Sequence, residues 1–248
     1  MNAIEISGVT LFRRTQEEMS YDLKGLIIHS LRGRYRKPSR RQVLHDVTCS
    51  IQHGEKVGIV GSNGSGKSTL LKIICGILKP TVGEIAIEGR IAPLIELGAG
   101  FDPDLSVREN VIFYGVLLGL SKAKVLERLD AILDYAELAD RADEPLKSLS
   151  SGMNARLGFA IATDEHPDIL LLDEVLSVGD ESFRAKSAAR IQQLWSEHAT
   201  IVVVSHELGF IEQQCERVLW LRDGTIALDG PPTEVIPQYL ASFHPVAV

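Results

Sequence analysis

No stretch constrains this chain more than Gly61-Ser62-Asn63-Gly64-Ser65-Gly66-Lys67-Ser68-Thr69. It follows the apolar run Val57-Gly58-Ile59-Val60 and precedes Leu70-Leu71-Lys72-Ile73-Ile74, which reads as a helix. The pattern is G-x-x-x-x-G-K-[ST] between a strand and a helix, the setting a phosphate-binding loop requires. Glycines let the backbone curl round an anion with its N–H groups inward, and the helix start adds partial positive charge. In such a loop Lys67 reaches the β- and γ-phosphates, and the Ser68 hydroxyl ligates Mg²⁺. The plain alternative is a Gly/Ser-rich turn holding a lysine by chance, and the flanking strand and helix weigh against it. The stretch predicts a nucleoside triphosphate site.

The 248 residues, 45% hydrophobic and 24% charged, suit a soluble globular chain able to bury a full core. No apolar run approaches the ~20 residues of a membrane helix, and the N-terminus lacks a signal-peptide layout. Cys49, Cys75 and Cys215 are odd in number and far apart, which reads as buried free thiols in a reducing cytoplasm. A net charge of −7 argues against a general nucleic-acid binder.

Along the chain, Ile4 to Ile6 and Val9 to Leu11 read as an opening strand with a bulge at Gly8. Residues 12–42 interrupt what would otherwise be a short hairpin. Within them Leu23 to Leu31 is apolar at helical spacing, and a basic run follows: Arg32, Arg34, Arg36, Lys37, Arg40 and Arg41. Such a run is either a solvated loop or a contact for anionic lipid headgroups or a phosphorylated substrate. Strands are expected at Val43–Ile51, Lys56–Val60, Gly83–Glu88 and Ile91–Leu97. Ser106 with Glu109 has capping-box spacing for a helix through about Gly119. Residues 121–140 suggest two surface helices, and Leu146 to Ala162 a turn and a third helix.

Ile169-Leu170-Leu171-Leu172-Asp173-Glu174 is an apolar strand ending in two acids, expected in a parallel sheet with helices on both faces. Helix 181–196, strand Thr200–Val204 ending at Ser205-His206, and a hairpin turning at Arg222-Asp223-Gly224-Thr225 complete the chain. The fold class is α/β with a mostly parallel core sheet, and the family resemblance set out below implies an antiparallel β subdomain and a helical subdomain over about 98–165. The whole of 1–248 reads as a single ATP-binding domain.

Ligands of open α/β sheets gather beyond the carboxyl ends of the strands, where Gly61, Asp173 and His206 all fall. Asp173 suits Mg²⁺, which takes carboxylate and phosphate oxygens. Glu174 can accept a proton from an attacking water. Adjacent acids also occur at helix starts for no catalytic reason, but four aliphatic residues leading into Asp-Glu favour the catalytic reading. A lone histidine is more often structural, and His206 by itself divides between that role and sensing a γ-phosphate.

Five motifs together resemble the ATPase subunits of ABC transporters: the phosphate loop, Leu149-Ser150-Ser151-Gly152-Met153, Leu171-Leu172-Asp173-Glu174, Ser177-Val178-Gly179-Asp180 and Ser205-His206. Ser-Ser-Gly-Met in place of the usual Ser-Gly-Gly-Gln, Glu96 to Phe101, Arg108-Glu109-Asn110 and the N-terminal insertion are similar to one group within that family. It is the Wzt-like group serving O-antigen, capsule and teichoic-acid exporters. The resemblance implies a homodimer closing head to tail on two ATP molecules with Mg²⁺. Ser150, Ser151 and Gly152 of one chain would face the nucleotide on the other chain's loop, with Asp180 linking the sites. It further implies Glu174 and His206 as catalytic residues and two copies of an integral-membrane permease carrying lipid-linked polysaccharide. The chain would be peripheral, on the cytoplasmic face of the inner membrane.

Two departures stand out. The usual glutamine ahead of the helical subdomain is absent; Glu96 or Leu97 occupies its neighbourhood, which makes Glu96 the candidate metal ligand there. No aromatic directly precedes Val43-Leu44 to stack on adenine, leaving Tyr35 as the upstream candidate. The carbohydrate-binding domain that some of these exporters carry is not expected after Leu240. An ATPase for another export substrate, such as a drug or lipid, and a soluble ABC protein are the rival readings.

Overall fold

The computed structural model describes residues 1–14, 40–173, 181–196 and 198–243. In chain order they form β1 (Asn2–Arg14), β2 (Arg40–Gln52), β3 (Lys56–Val60), α1 (Lys67–Ile74), β4 (Val82–Ile87) and β5 (Ile91–Leu94). Then come α2 (Val107–Leu117), α3 (Lys122–Ala136), two 3₁₀ turns (Ala139–Arg141 and Leu146–Ser148), α4 (Ser151–Thr163), β6 (Ile169–Asp173) and α5 (Glu181–Ser196). The chain continues through β7 (Thr200–Val204), α6 (Leu208–Gln214), β8 (Arg217–Arg222), β9 (Thr225–Gly230) and α7 (Pro232–Ala241).

The strands make two sheets. A three-stranded antiparallel sheet has the order β2-β1-β4, and a six-stranded sheet the order β5-β6-β7-β3-β8-β9. The larger sheet is parallel except for β9, which returns antiparallel from β8 through the Asp223-Gly224 turn, both residues at positive φ. Alternation along the parallel strands sorts their side chains into two cores. Val57, Ile59, Ile169, Leu171, Val202 and Val204 join α1 and the antiparallel sheet in one cluster. Leu170, Leu172, Ile201 and Val203 join α4, α5, α6 and α7 in the other. The apolar β6 run is therefore buried on both faces as expected, but one face is covered by a sheet plus a helix instead of by helices alone. A third cluster joins α2, α3 and α4 in the helical layer.

Several boundaries differ from the sequence expectation. The β1–β2 ladder continues through Arg13↔Arg41 and Arg14↔Arg40, so pairing narrows the insertion from 12–42 to residues 15–39. The Leu23–Leu31 stretch and the basic residues Arg32 to Lys37 lie outside the described residues. Gly8 does mark a register shift, with φ at 60°. Residues 121–140 hold one long helix and a 3₁₀ turn instead of two helices: α3 stops at Glu137, which takes φ 60° without being glycine. Strand β5 ends at Leu94, three residues short of the expected extension. The Ser106–Glu109 capping box is present, and α2 ends at Leu117. All three cysteines are free; burial pushes the Cys49 thiol up to about 11 and Cys75 and Cys215 up to about 12.

Candidate nucleotide site

The loop begins where β3 ends. A Cβ at Gly61 would lie 2.2 Å from the Leu221 carbonyl oxygen, so the backbone passes too close to β8 for any side chain. Gly66, at φ 110°, caps α1 with no side chain bonded to the helix start. Its would-be Cβ falls 2.7 Å from Leu44 Cδ2, so β2 backs the loop from behind. The first turn of α1 carries no acid. Lys67 is 93% buried, and its Nζ donates to the carbonyl oxygens of Gly61 at 2.8 Å and Ser62 at 3.1 Å. Ser65 Oγ is buried with no hydrogen-bond partner. A buried hydroxyl without a partner costs free energy. A helix start free of acids and side-chain caps beside it makes a cradle that fits the oxygens of a phosphate chain.

Strand register brings the remaining groups to the same edge. Val204 of β7 pairs with Ile59 of β3 on one side and with Asp173 of β6 on the other. Three carboxyl ends are thus level: Asp173 lies on this line, and Gly61 and His206 each follow it by two residues. Ser205 Oγ accepts from the Glu207 N–H at 3.0 Å, a local turn that carries the chain into α6 and leaves His206 exposed. A cavity of about 160 Å³ lies behind His206, between Val60, Leu208 and Tyr239 of α7.

The Ser150–Gly152 stretch sits elsewhere, at the start of α4 in the helical layer. Ser150 is the N-cap, its Oγ accepting from the Met153 N–H at 3.3 Å, and Ser150 and Ser151 are exposed. A Cβ on Gly152 would meet nothing nearer than Ser150 Oγ at 4.0 Å. This is a second anion-favouring helix start, again with no acid in its first turn, and it faces outward.

The ABC transporter family profile matches residues 44–177, more than half of the chain. The chain belongs to the ABC transporter family. It is 44% identical over 243 residues to the O-antigen export system ATP-binding protein RfbB of Myxococcus xanthus, covering 96% of this chain and 56% of that protein. To the RfbB protein of Klebsiella pneumoniae it is 37% identical, covering 95% of this chain and 96% of its relative. The teichoic acids export ATP-binding protein TagH of Lactococcus lactis is 41% identical over 79% of this chain and 42% of its own length. The chain thus spans little more than half of the Myxococcus protein and nearly all of the Klebsiella one. Among solved structures, a dimeric ATP-binding cassette in a post-hydrolysis state, bound to ADP and phosphate, superposes with a TM-score of 0.64 at 25% identity. That match covers 92% of this chain and 98% of the cassette.

Within this ABC cassette, Ser68 presents an exposed hydroxyl in the first turn of α1, and the half-exposed Asp173 carboxylate ends β6. Two hard oxygen donors flanking a phosphate cradle fit Mg²⁺, which binds through few protein ligands plus phosphate. Glu96 is paired with Lys72 of α1 at 2.5 Å. Glu174, Asp180 and Tyr35 lie outside the described residues.

Two residues gain meaning only from the structure. Asn110 is fully buried: its Oδ1 accepts from Asp102 N–H at 2.8 Å, and its Nδ2 donates to the carbonyls of Asp102, Leu105 and Ser106. It ties the 102–106 loop to α2; a polar residue on the helix's buried face was the available signal. Phe12, 38% exposed, stands opposite Gln42 in the β1–β2 ladder, beside Val43, whose carbonyl lies against Gly66. Its nearness to the loop comes from cross-strand pairing, which sequence order alone does not reveal.

Proposed function

We propose that this chain is the ATP-hydrolysing subunit of an exporter of lipid-linked polysaccharide, working as a homodimer bound to two copies of a membrane permease. The observation that carries the reading is the near full-length likeness to an O-antigen export ATP-binding protein, over a chain whose phosphate loop, Asp173 and His206 share one sheet edge.

The loop N–H groups and Lys67 hold the phosphates, and Ser65, Gly64 and Gly66 shape the cradle around them. Ser68 and Asp173 hold Mg²⁺, which when bound neutralises phosphate charge. Glu174 takes the proton as the water oxygen bonds to the γ-phosphorus and the bond to the bridging oxygen of ADP breaks. His206 donates a hydrogen bond to the γ-phosphate. The partner subunit's Ser150 and Gly152 supply an anion-binding helix start to the same phosphate, so the site is complete only in the dimer. Rate acceleration then comes from positioning and fixed dipoles more than from covalent chemistry.

For the permease, α2 offers Phe113, Val116 and Leu117, which are 48%, 46% and 60% exposed and spaced to share one helix face. Among the described residues no helix is long and apolar enough to cross a membrane. A separate membrane subunit, with this chain at its cytoplasmic face, supplies the path.

The deciding experiment uses cells whose only copy carries Glu174→Gln. Loss of surface polysaccharide, with lipid-linked polymer accumulating inside and a polytopic protein copurifying, is expected. Normal surface polysaccharide with no membrane partner would overturn the export reading.

A further inference from the structure

Strands β1 and β2 run on past the sheet they share with β4. The pairing of β1 with β4 ends at Thr10↔Val82, whereas β1 and β2 stay paired through Phe12↔Gln42, Arg13↔Arg41 and Arg14↔Arg40. The last rungs therefore form a two-stranded ribbon, and two consecutive rungs set arginine against arginine. Residues directly opposite in an antiparallel ladder have Cβ atoms about 5 Å apart, and like charges so placed destabilise it. Arg13 and Arg41 are exposed, and among the described residues neither side chain makes an ion pair or hydrogen bond.

Other arginines of the same surface are neutralised. Arg108 pairs with Asp143, Arg128 with Asp164, Arg141 with Glu144, Arg156 with Glu137, and Arg217 with both Glu55 and Asp229. Acids are in surplus, with 33 Asp and Glu against 26 Lys and Arg, yet none is placed beside Arg13 or Arg41. A solvated loop would let such charges drift apart, but a hydrogen-bonded ladder holds them together. The fold thus keeps a concentrated positive charge that its own acids leave unmatched.

We propose that this ribbon end contacts anionic phospholipid headgroups, directly and without a permease between. Charge complementarity selects the occupant. An enclosed site for one phosphate would bury its donors, whereas Arg13 and Arg41 stand exposed on the outer rungs of a ribbon. An open cationic edge gains most from a surface that presents many phosphates at once. The molecule as a whole, at −7, is repelled by such a surface, so the basic end leads. The proposal goes beyond the export reading and does not need it, since an exporter of any substrate works beside a membrane.

The test floats the full chain, purified without a permease, with vesicles of phosphatidylcholine alone or of phosphatidylcholine with phosphatidylglycerol. Binding is expected with the anionic vesicles only, and it should weaken as salt is raised. Arg13→Gln/Arg41→Gln should lower the partition coefficient about 10–30-fold, the scale for two basic residues near an anionic surface. Arg13→Lys/Arg41→Lys should stay within about threefold of the parent, because a lipid surface reads charge more than the guanidinium fork. The ATP KM of both variants should hold within about twofold. Without lipid, the melting temperature of the glutamine variant should hold or rise, since an opposed like-charge pair is gone.

Equal partition of the parent and the glutamine variant, or equal binding to neutral vesicles, would overturn the proposal. Displacement by inorganic pyrophosphate beyond that by sodium chloride of equal ionic strength would mark a discrete phosphate site instead. A raised ATP KM with unchanged vesicle binding would make nucleotide the anion. A lower melting temperature in the glutamine variant would show that the arginines serve the ladder itself, which also sinks the idea. None of these readouts involves polysaccharide, so the export reading stands or falls separately.

Discussion

Helix α1 begins inside its own fold, whereas α4 begins at the surface, although both have an acid-free first turn. Around α1 the backbone of β8 and the side chain of Leu44 close in on Gly61 and Gly66, and Lys67 is 93% buried. Around Ser150 and Gly152 there is open space. The same helix-end electrostatics therefore serve two purposes. In the proposed dimer the enclosed start binds nucleotide within one chain, while the open one completes the partner's site. Cβ room separates Gly61 and Gly66 from Gly152, although Gly64 at the outer turn of the loop also meets nothing.

The contrast can be broken most forcefully at Gly61. Gly61→Ala should destabilise the chain by about 3 kcal/mol or more, because its Cβ meets backbone that no rotamer change can move; denaturant unfolding reads this. Stability within about 0.5 kcal/mol of the parent would show that the loop is less enclosed than described. Lys67→Ala should keep the circular-dichroism spectrum but weaken ATP binding more than about a hundredfold, the scale of charge-assisted hydrogen bonds to phosphate. Retained nanomolar-to-micromolar binding by calorimetry would detach Lys67 from the site.

Phe12→Ala sharpens the picture at the rim. If Phe12 stacks on the base, the ATP KM should rise about tenfold, near the value of an aromatic contact, while kcat holds. No change in KM would return the adenine platform to residues outside those described. Gly152→Ala should have the smallest effect on the fold, within about 0.5 kcal/mol, since its Cβ finds open space. The same variant should nevertheless weaken ATP-driven dimer formation, seen by sedimentation. Loss of monomer stability there would erase the difference between the two helix starts.

Local chemistry was legible in the sequence wherever neighbours in the chain determine it. The phosphate loop, the β6 run into Asp173, the Ser106–Glu109 capping box and the Asp223-Gly224 turn each depend on a few adjacent residues, and each is found. Elements set by distant partners were harder. Helix α6 is seven residues with a glycine inside, and α7 contains Pro237, so neither has the propensity that announces a helix. Both are held by burial against the central sheet through Ile211, Val235, Ile236 and Tyr239. The second helix expected within 121–140 is a 3₁₀ turn instead, because the helical period breaks after Ala136. A left-handed Glu137 stops the helix, and its carboxylate is bound by Arg156 and Lys186 from other helices.

By itself, then, the sequence determined the strand–loop–helix setting of the phosphate loop and the apolar strand ending at Asp173, since both follow from short-range backbone geometry. Only the tertiary structure decided that β7 lies between β6 and β3, which places Asp173 and His206 beside a loop more than a hundred residues away. It also decided that Ser150 faces outward and that α5 is fastened to α4, the helix Ser150 caps. Strand order, exposure and helix contacts arise from which apolar faces bury one another, and that outcome depends on the whole chain at once.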